Sequence, residues 1–264
     1  MIFEIIILLI AGWGAGIITG LIGASAVALV IPMLMIFLNY DAYTAIGIAL
    51  AIDVFASSIA AYTYGKHGNT DLKDGLQMAA ASITGAFIGS WLSSPIPSTQ
   101  LGGTSGFITM CIGIAFLIEP NTETGKDILN MEMIQTVQSR LKKRKNISAV
   151  FLGLGIGIVS GVIGAGGGLM FLIALVVVLD FPIHKAVGTS VIIMIFTAFS
   201  GALGHIYYGD IMFTAILVGS IGGVIGARSS STFANLASEK KLKRTVGLVF
   251  MVMGSSLVVM ELLF

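Results

Sequence analysis

Long apolar stretches, separated by short polar or glycine-rich turns, follow one another along most of the chain. In the first half they cover roughly residues 2–22, 25–38, 42–64, 74–94 and 99–118, and in the second half roughly 147–163, 166–179, 184–206, 211–233 and 245–263. Stretches of about 18 or more apolar residues are typical of helices that cross a membrane. The pattern therefore predicts an all-α polytopic membrane protein.

A polar stretch, residues 120–146, separates the two sets of apolar segments and ends in the basic run Arg140–Lys145. Apolar residues recur within it at roughly helical spacing. Two interpretations fit: a helix on the membrane surface with its basic end toward anionic lipid, or a solvated linker helix. Either divides the chain into a first membrane repeat (1–119), a basic linker helix (120–146) and a second membrane repeat (147–264).

Composition agrees with a membrane protein and excludes several other classes. Mean hydropathy is +1.00, 56% of the residues are hydrophobic and only 10% are charged. The single cysteine, Cys111, excludes a disulfide framework, and the three widely spaced histidines indicate no metal cluster. The sequence has neither a Walker A motif nor a nucleophile–base arrangement. We therefore expect no enzyme and no ATP-driven pump, and no cofactor, metal ion or nucleic-acid partner.

A glycine-rich segment occurs twice in the chain. GAGIITGLIGASA begins at Gly14, and GIGIVSGVIGAGG begins at Gly155. We call the displacement along the chain that carries Gly14 to Gly155, 155 − 14 = 141 residues, the repeat shift. It pairs further glycines of the two halves, namely Gly47 with Gly188, Gly68 with Gly209, Gly106 with Gly247, and Gly113 with Gly254. The chain is thus predicted to be two related halves, as in secondary transporters whose site lies where the halves meet.

The second apolar segment of each half is too short to cross a membrane. Its 14 residues would span about 21 Å as a helix, whereas the hydrocarbon core is about 30 Å thick. The first two segments of each half are therefore predicted to form a broken or re-entrant pair that meets at the glycine-rich turn.

The positions of Lys and Arg decide between two topologies. If each pair crosses the membrane once, the halves are parallel and only 8 of the 14 basic residues face the cytoplasm. If each pair returns to its starting side and both termini are outside, all 14 reach the cytoplasmic side. The sequence thus predicts two inverted-topology repeats, each a broken or re-entrant pair plus three spanning helices, with a cytoplasmic linker.

The two glycine-rich breaks are predicted to face one cavity near the membrane midplane. Helices that begin near Ser25 and Gly166 would offer unpaired N–H groups and partial positive charge to a small anion. The predicted substrate-binding residues are Gly23, Ala24, Ser25, Gly164, Ala165, Gly166, Gly167, Gly168, Thr189 and Ser190. In the alternative interpretation the glycines serve close helix packing and the hydroxyls bond to carbonyls of their own helix.

Other polar residues suggest coupling and gating. Asp53 lies near the middle of the 42–64 segment, where a carboxylate is costly and usually functional. It could carry a proton, coordinate a cation or bond a neighbouring helix, and it is the candidate coupling residue, with protons as the candidate coupling ion. Candidates for a gate or vestibule are His205 and Tyr208 at the outer end, where an interfacial aromatic belt is the alternative, and His184 and Lys185 at the inner mouth.

These motifs together resemble the sulfite exporter TauE/SafE family. The likeness rests on Gly20-x-x-Gly23, on Gly161-x-x-Gly164-x-Gly166-Gly167-Gly168, on the segment Ala186–Ser190, and on His205-x-x-x-Gly209-Asp210. It implies a transporter, integral to the cell membrane, of a small sulfur-containing anion, either sulfite or an organosulfonate. Ser25, Ala26 and Val27 stand where the second half has its three glycines, which is a departure from the motif.

The leading hypothesis is a secondary transporter that exports sulfite or an organosulfonate by alternating access between the two repeats. An anion channel, an uptake permease for a sulfonate or another small anion, and a scaffold that transports nothing are the alternatives. A scaffold would explain glycines that pack helices, but not a repeat with a central break in each half.

Cysteine-accessibility labelling tests the predicted topology. A cysteine introduced at Ser98 should react from outside the cell, and one at Ser238 should react from the cytoplasm, because the inverted topology has an odd number of crossings between them. Labelling of both positions from the same face would contradict the inverted arrangement.

Overall fold

The computed structural model describes residues 2–25, 27–94, 145–163, 167–179, 181–208 and 212–238, together with a few positions between 240 and 248. These residues form eight helices: α1 (Ile2–Ile22), α2 (Val27–Leu38), α3 (Ala42–Lys66), α4 (Leu72–Ser93), α5 (Lys145–Ile163), α6 (Gly167–Ile173), α7 (Ile183–Tyr208) and α8 (Phe213–Leu236). A π-helical turn, Ala174–Val178, continues α6. The prediction of an all-α protein is confirmed for this part of the chain. The predicted segment 99–118, the linker up to residue 144 and most of 245–263 lie outside it.

Four of these helices, α1, α3, α7 and α8, are long and apolar enough to cross a membrane. Large apolar side chains point outward along them, including Ile10 and Trp13 on α1 and Leu217, Ile221 and Ile225 on α8. Such continuous apolar surface is unfavourable in water and is what lipid-facing helices require. The helices therefore belong in a membrane.

Helices α3 and α7 form the centre of the bundle. Of the residues in their apolar windows, 72% and 78% are buried, against 50% for both α1 and α8. The two central helices run antiparallel: Gly188, near the start of α7, abuts Tyr64 near the end of α3, whereas Gly201 abuts Leu50. The repeat shift carries the sequence range of α3 onto that of α7.

The outer helices pack across the two halves in two matching pairs. Helix α1 packs against α8, and α5 packs against α4. A Cβ atom on Gly12 or Gly16 would collide with the carbonyl of Gly219 or Gly223. At the positions related by the repeat shift, a Cβ atom on Gly153 or Gly157 would collide with the carbonyl of Met78 or Ser82. The backbones thus approach closely through small residues, and each crossing repeats the other.

The ends of α1 and α5 are held in the same reciprocal way by the central helices. The Tyr64 hydroxyl of α3 donates to the Gly20 carbonyl at 3.0 Å. The ring Nε2 of His205 on α7 lies 3.3 Å from the Gly161 carbonyl. The repeat shift carries Tyr64 to His205 and Gly20 to Gly161, so two different side chains perform one task at equivalent positions.

Side-chain contacts define the two ends of the bundle. At the end named here the Glu4 end, the Tyr40 hydroxyl donates to Glu4 Oε1 at 3.1 Å and lies 3.3 Å from the sulfur of Met212. Helix α2 therefore ends beside the starts of α1 and α8. At the opposite end, named the Lys185 end, Lys185 forms an ion pair with Asp71 at 2.9 Å. Here α4 and α7 begin, and α3 and α8 end.

The close helix crossings give a stability prediction. Gly157→Ala should lower stability by about 1–3 kcal/mol, the usual cost of overpacking, because the new Cβ would lie 2.8 Å from Ser82 Cα. Gly155 is the matched control, since a Cβ there meets no atom within 4 Å. Thermal unfolding in detergent measures both variants. Equal melting temperatures would contradict the backbone contact between α4 and α5.

Candidate functional site

A small cavity lies at the centre of the bundle, between α3 and α7. Its volume is about 10 Å³, which is about the space that one water needs. Nine of the described residues line it: Ser25, Leu50, Asp53, Ser160, Gly168, Phe171, Met194, Thr197 and Ala198. They come from α3, α5, α6, α7 and the turn between α1 and α2, so both halves contribute to one site.

Asp53 is the one acidic residue among the described residues that line this site, and it is only 1% exposed. Both of its carboxylate oxygens accept hydrogen bonds from the first half: Thr19 Oγ1 donates to Oδ1 at 3.2 Å, and Ser25 Oγ donates to Oδ2. A carboxylate buried among apolar helices is costly unless such donors surround it. The predicted coupling residue and the predicted substrate residue Ser25 therefore lie in contact.

The turn between α1 and α2 is shaped by Gly23, which adopts a left-handed conformation with φ of 65°. A side chain there would be strained, and a Cβ would also lie 2.8 Å from the Val187 carbonyl. Ser190 Oγ donates to the Gly23 carbonyl at 2.8 Å. The turn thus rests on α7, and this support brings Ser25 to the cavity.

The two glycine-rich breaks meet where Gly168 faces the first break. A Cβ atom on Gly168 would lie 2.8 Å from Ala24 Cα and 2.7 Å from the Ser25 backbone nitrogen. Gly167 lies against the Ser160 side chain. Of the predicted second break, Gly164, Ala165 and Gly166 lie outside the described residues. The described remainder of the break, Gly167 and Gly168, adjoins the cavity and the first break.

The remaining predicted residues lie away from the cavity. Thr189 Oγ1 accepts a hydrogen bond from the Asp71 backbone N–H at 2.9 Å and donates to the Lys185 carbonyl at 2.7 Å, so it joins α4 to α7. The ring Nε2 of His184 lies 3.0 Å from the Ala237 carbonyl oxygen, also at the Lys185 end.

At the Glu4 end, two of the predicted gate residues differ in exposure. His205 is completely buried, and its ring stacks on Tyr43 with ring centroids 4.2 Å apart. Tyr208 is 41% exposed and contacts the rings of Phe87 and Tyr207.

Thr197 is a cavity residue that the sequence patterns did not single out. It donates to the Ile193 carbonyl at 2.9 Å and is hydrogen-bonded to Ser82 of α4. Thr197 lies one helical turn after Met194, the repeat partner of Asp53. This position in the repeat could have indicated from the sequence that Thr197 lies near the site. Ser160, the repeat partner of Thr19, is the other hydroxyl that the second half brings to the cavity.

The chemistry of the site is that of hydroxyl donors around one acid. None of the described residues that line the cavity is basic. Hydroxyls and backbone N–H groups can bind oxyanion oxygens, while a carboxyl group repels an anion when ionised and can donate to it when protonated. The cavity thus combines anion donors with a group able to exchange a proton.

Comparison with known proteins assigns this architecture to a family. The family model described as "Sulfite exporter TauE/SafE" matches residues 8–257. The chain belongs to the sulfite exporter TauE/SafE family. This is a family of membrane transporters, and the match includes both glycine-rich segments, Asp53 and every residue that lines the cavity.

Curated relatives agree with membership of the TauE/SafE family. The chain is 30% identical to the "Probable membrane transporter protein YdhB" of Bacillus subtilis (strain 168), over 90% of this chain and 94% of the relative. It is 22% identical to the "Probable membrane transporter protein YunE" of the same organism, over 97% of both chains. "Probable membrane transporter protein ORF9" of Sinorhizobium is 26% identical over 72% of this chain and 68% of the relative. No solved structure matches.

Proposed function

We propose that this protein is a secondary transporter that exports a small sulfur-containing oxyanion, sulfite or an organosulfonate, from the cytoplasm. The central cavity carries the proposal, because two discontinuous helix pairs meet there around hydroxyl donors and one buried acid. Family membership supports the transporter class, and the family description supports sulfite as the first substrate to test.

Alternating access between inverted repeats is the proposed mechanism. Two features of the bundle support it. The matched helices α3 and α7 run antiparallel, and the contacts of α1 with α8 recur between α5 and α4 under the repeat shift. Halves related in this way can exchange conformations, and the exchange moves the opening of a central site from one face to the other.

The size of the cavity favours a carrier over an open channel. A space of about 10 Å³ holds about one water, whereas sulfite has four heavy atoms. Substrate entry therefore requires the walls to move, as in a transport cycle.

We place the Lys185 end in the cytoplasm, because Lys and Arg collect on the cytoplasmic side of membrane proteins. Lys66, Lys73 and Lys185 flank helices at this end, whereas the described residues that flank helices at the Glu4 end include no Lys or Arg.

Asp53 is proposed to couple anion transport to protons. Its ionised form would repel an anion in the same small cavity, since two unit charges at close range interact strongly where water is excluded. Anion binding should therefore favour the protonated carboxyl group, so that anion binding and proton binding at this site are coupled.

Sulfite counterflow in proteoliposomes tests the function. Vesicles loaded with unlabelled sulfite should transiently accumulate labelled sulfite above equilibrium, because a carrier exchanges its substrate across the membrane. A folded preparation that conducts sulfite without accumulation would be a channel. If sulfite does not move at all, it is not the substrate, and sulfonates are measured next in the same vesicles.

Asp53→Asn tests the coupling. The variant keeps the shape of the side chain but does not titrate, so sulfite flux should lose its response to an imposed pH gradient. Asp41→Asn is the matched control: Asp41 is exposed and accepts a hydrogen bond from the Thr44 N–H at the start of α3, a capping role that Asn retains. An unchanged pH response in Asp53→Asn would exclude Asp53 as the coupling group.

A further inference from the structure

The described residues that α3 and α7 contribute to the central cavity lie to one side of a pair of repeat partners, Asp53 on α3 and Met194 on α7. The other residues that these helices contribute are Leu50, Thr197 and Ala198. Leu50 lies about one helical turn from Asp53, and Thr197 and Ala198 lie about one turn from Met194, in both helices toward the Glu4 end. The part of the cavity that α3 and α7 form is therefore displaced toward that end.

The repeat shift pairs the residues that line the cavity with a second set of residues, called the mirrored region. On α3 and α7 these residues lie on the side of Asp53 and Met194 that faces the Lys185 end. The described residues of the mirrored region, apart from Asp53 and Met194, are all at most 1% exposed: Thr19, Val27, Val30, Ala56, Ser57 and Val191. The mirrored region is thus buried inside the bundle, as the cavity residues are. Inverted halves that exchange conformations would open the mirrored region in place of the cavity.

Ser57 is the unusual member of the mirrored region. It is completely buried, and among the described residues its hydroxyl has no hydrogen-bond partner. Leaving a buried hydroxyl unpaired is unfavourable, because its desolvation is not compensated by a hydrogen bond. Ser57 lies one helical turn beyond Asp53 on α3, so both residues lie on the same face of that helix. Its repeat partner is Ala198, which lines the cavity.

The two regions carry hydroxyls at related but shifted positions. The cavity has Ser160 and Thr197, and the mirrored positions hold Thr19 and Ala56. The second hydroxyl of the mirrored region is supplied one residue later, by Ser57. Because Thr19 already donates to Asp53 at 3.2 Å, the Ser57 hydroxyl is the donor still available there.

We propose that Ser57 is a substrate-binding residue that contacts the oxyanion when the site opens toward the Lys185 end. This inference rests on the proposed transport function and adds a second half-site to it. Asp53 then serves both half-sites from the centre. Ser160 and Thr197 supply donors in the arrangement open toward the Glu4 end, and Thr19 and Ser57 supply them in the other.

Side-specific labelling of introduced cysteines tests the second half-site without depending on transport. In a variant whose only natural cysteine is replaced (Cys111→Ser), Ser57→Cys should react with a membrane-impermeant anionic thiol reagent applied from the Lys185 end. Ala198→Cys should react from the Glu4 end. Ser238→Cys, at an exposed position just after α8, identifies the Lys185 face in each vesicle preparation.

Two further readouts separate the outcomes. Ser58→Cys is the matched negative control, because Ser58 is exposed on the outer surface of α3 and bonds to the Val54 carbonyl at 2.7 Å, and in a membrane it should stay unreactive. Millimolar sulfite should slow labelling of Ser57→Cys severalfold more than it slows labelling of the exposed Ser238→Cys, which corrects for reagent that sulfite itself consumes. If Ser57→Cys is unreactive from the Lys185 end, or reacts only from the Glu4 end, the proposal is overturned.

Sulfite counterflow of the unmodified protein, measured beside the labelling, keeps the two proposals distinguishable. Labelling from the Lys185 end without sulfite counterflow would support the second opening and reject sulfite as the substrate. Counterflow together with an unreactive Ser57→Cys would support the transporter and reject the role of Ser57.

Discussion

A helix that stops inside a membrane leaves backbone carbonyl and N–H groups without partners, and lipid offers none. The architecture of this protein depends on satisfying those groups. The central helices do so: Tyr64 donates to the carbonyl of Gly20, and Ser190 donates to the carbonyl of Gly23. His205 lies against the Gly161 carbonyl in the other half. The described residues beside each break, Gly20 and Gly23 in the first half and Gly161 in the second, are thus each contacted by a side chain of α3 or α7.

The same constraint explains why the polar groups among the described residues of the site are hydroxyls, backbone groups and one acid. A Lys or Arg beside the breaks would bind an anion strongly but would be costly to bury. Hydroxyls such as Ser25 and Thr197 cost less, because they can bond to protein acceptors when no substrate is present. An oxyanion would then compete with those acceptors, which favours binding that is reversible.

Much of the fold could be predicted from the sequence, because two strong physical signals determine it. Lipid requires long apolar helices, and the boundaries predicted from hydropathy, such as 42–64, agree within a few residues with helices such as Ala42–Lys66. The repeat shift predicted two related halves, and the matched contacts of Gly20 and Gly161 agree with that relation.

The site was less accessible to prediction, because sequence periodicity does not specify which helices pack together. Thr189 and Ser190 are neighbours on α7, yet Thr189 joins α4 to α7 while Ser190 supports the turn at Gly23. Thr197 lines the cavity because of the register between α7 and α3, and that register results from packing. Asp53 was predictable as a buried acid, whereas its bonds to Thr19 and Ser25 required the fold.

The asymmetry between Asp53 and Met194 has a physical rationale within this repeated framework. Two carboxyl groups at these matched central positions would repel each other when ionised, and burial would raise the cost. In the proposed mechanism, a single acid avoids that repulsion and stays beside the substrate whichever end is open. Met194 fills the matching position with a flexible apolar side chain. The proposed exchange of conformations thus depends on the similarity of the two halves, and the proposed proton coupling depends on their difference at this one pair.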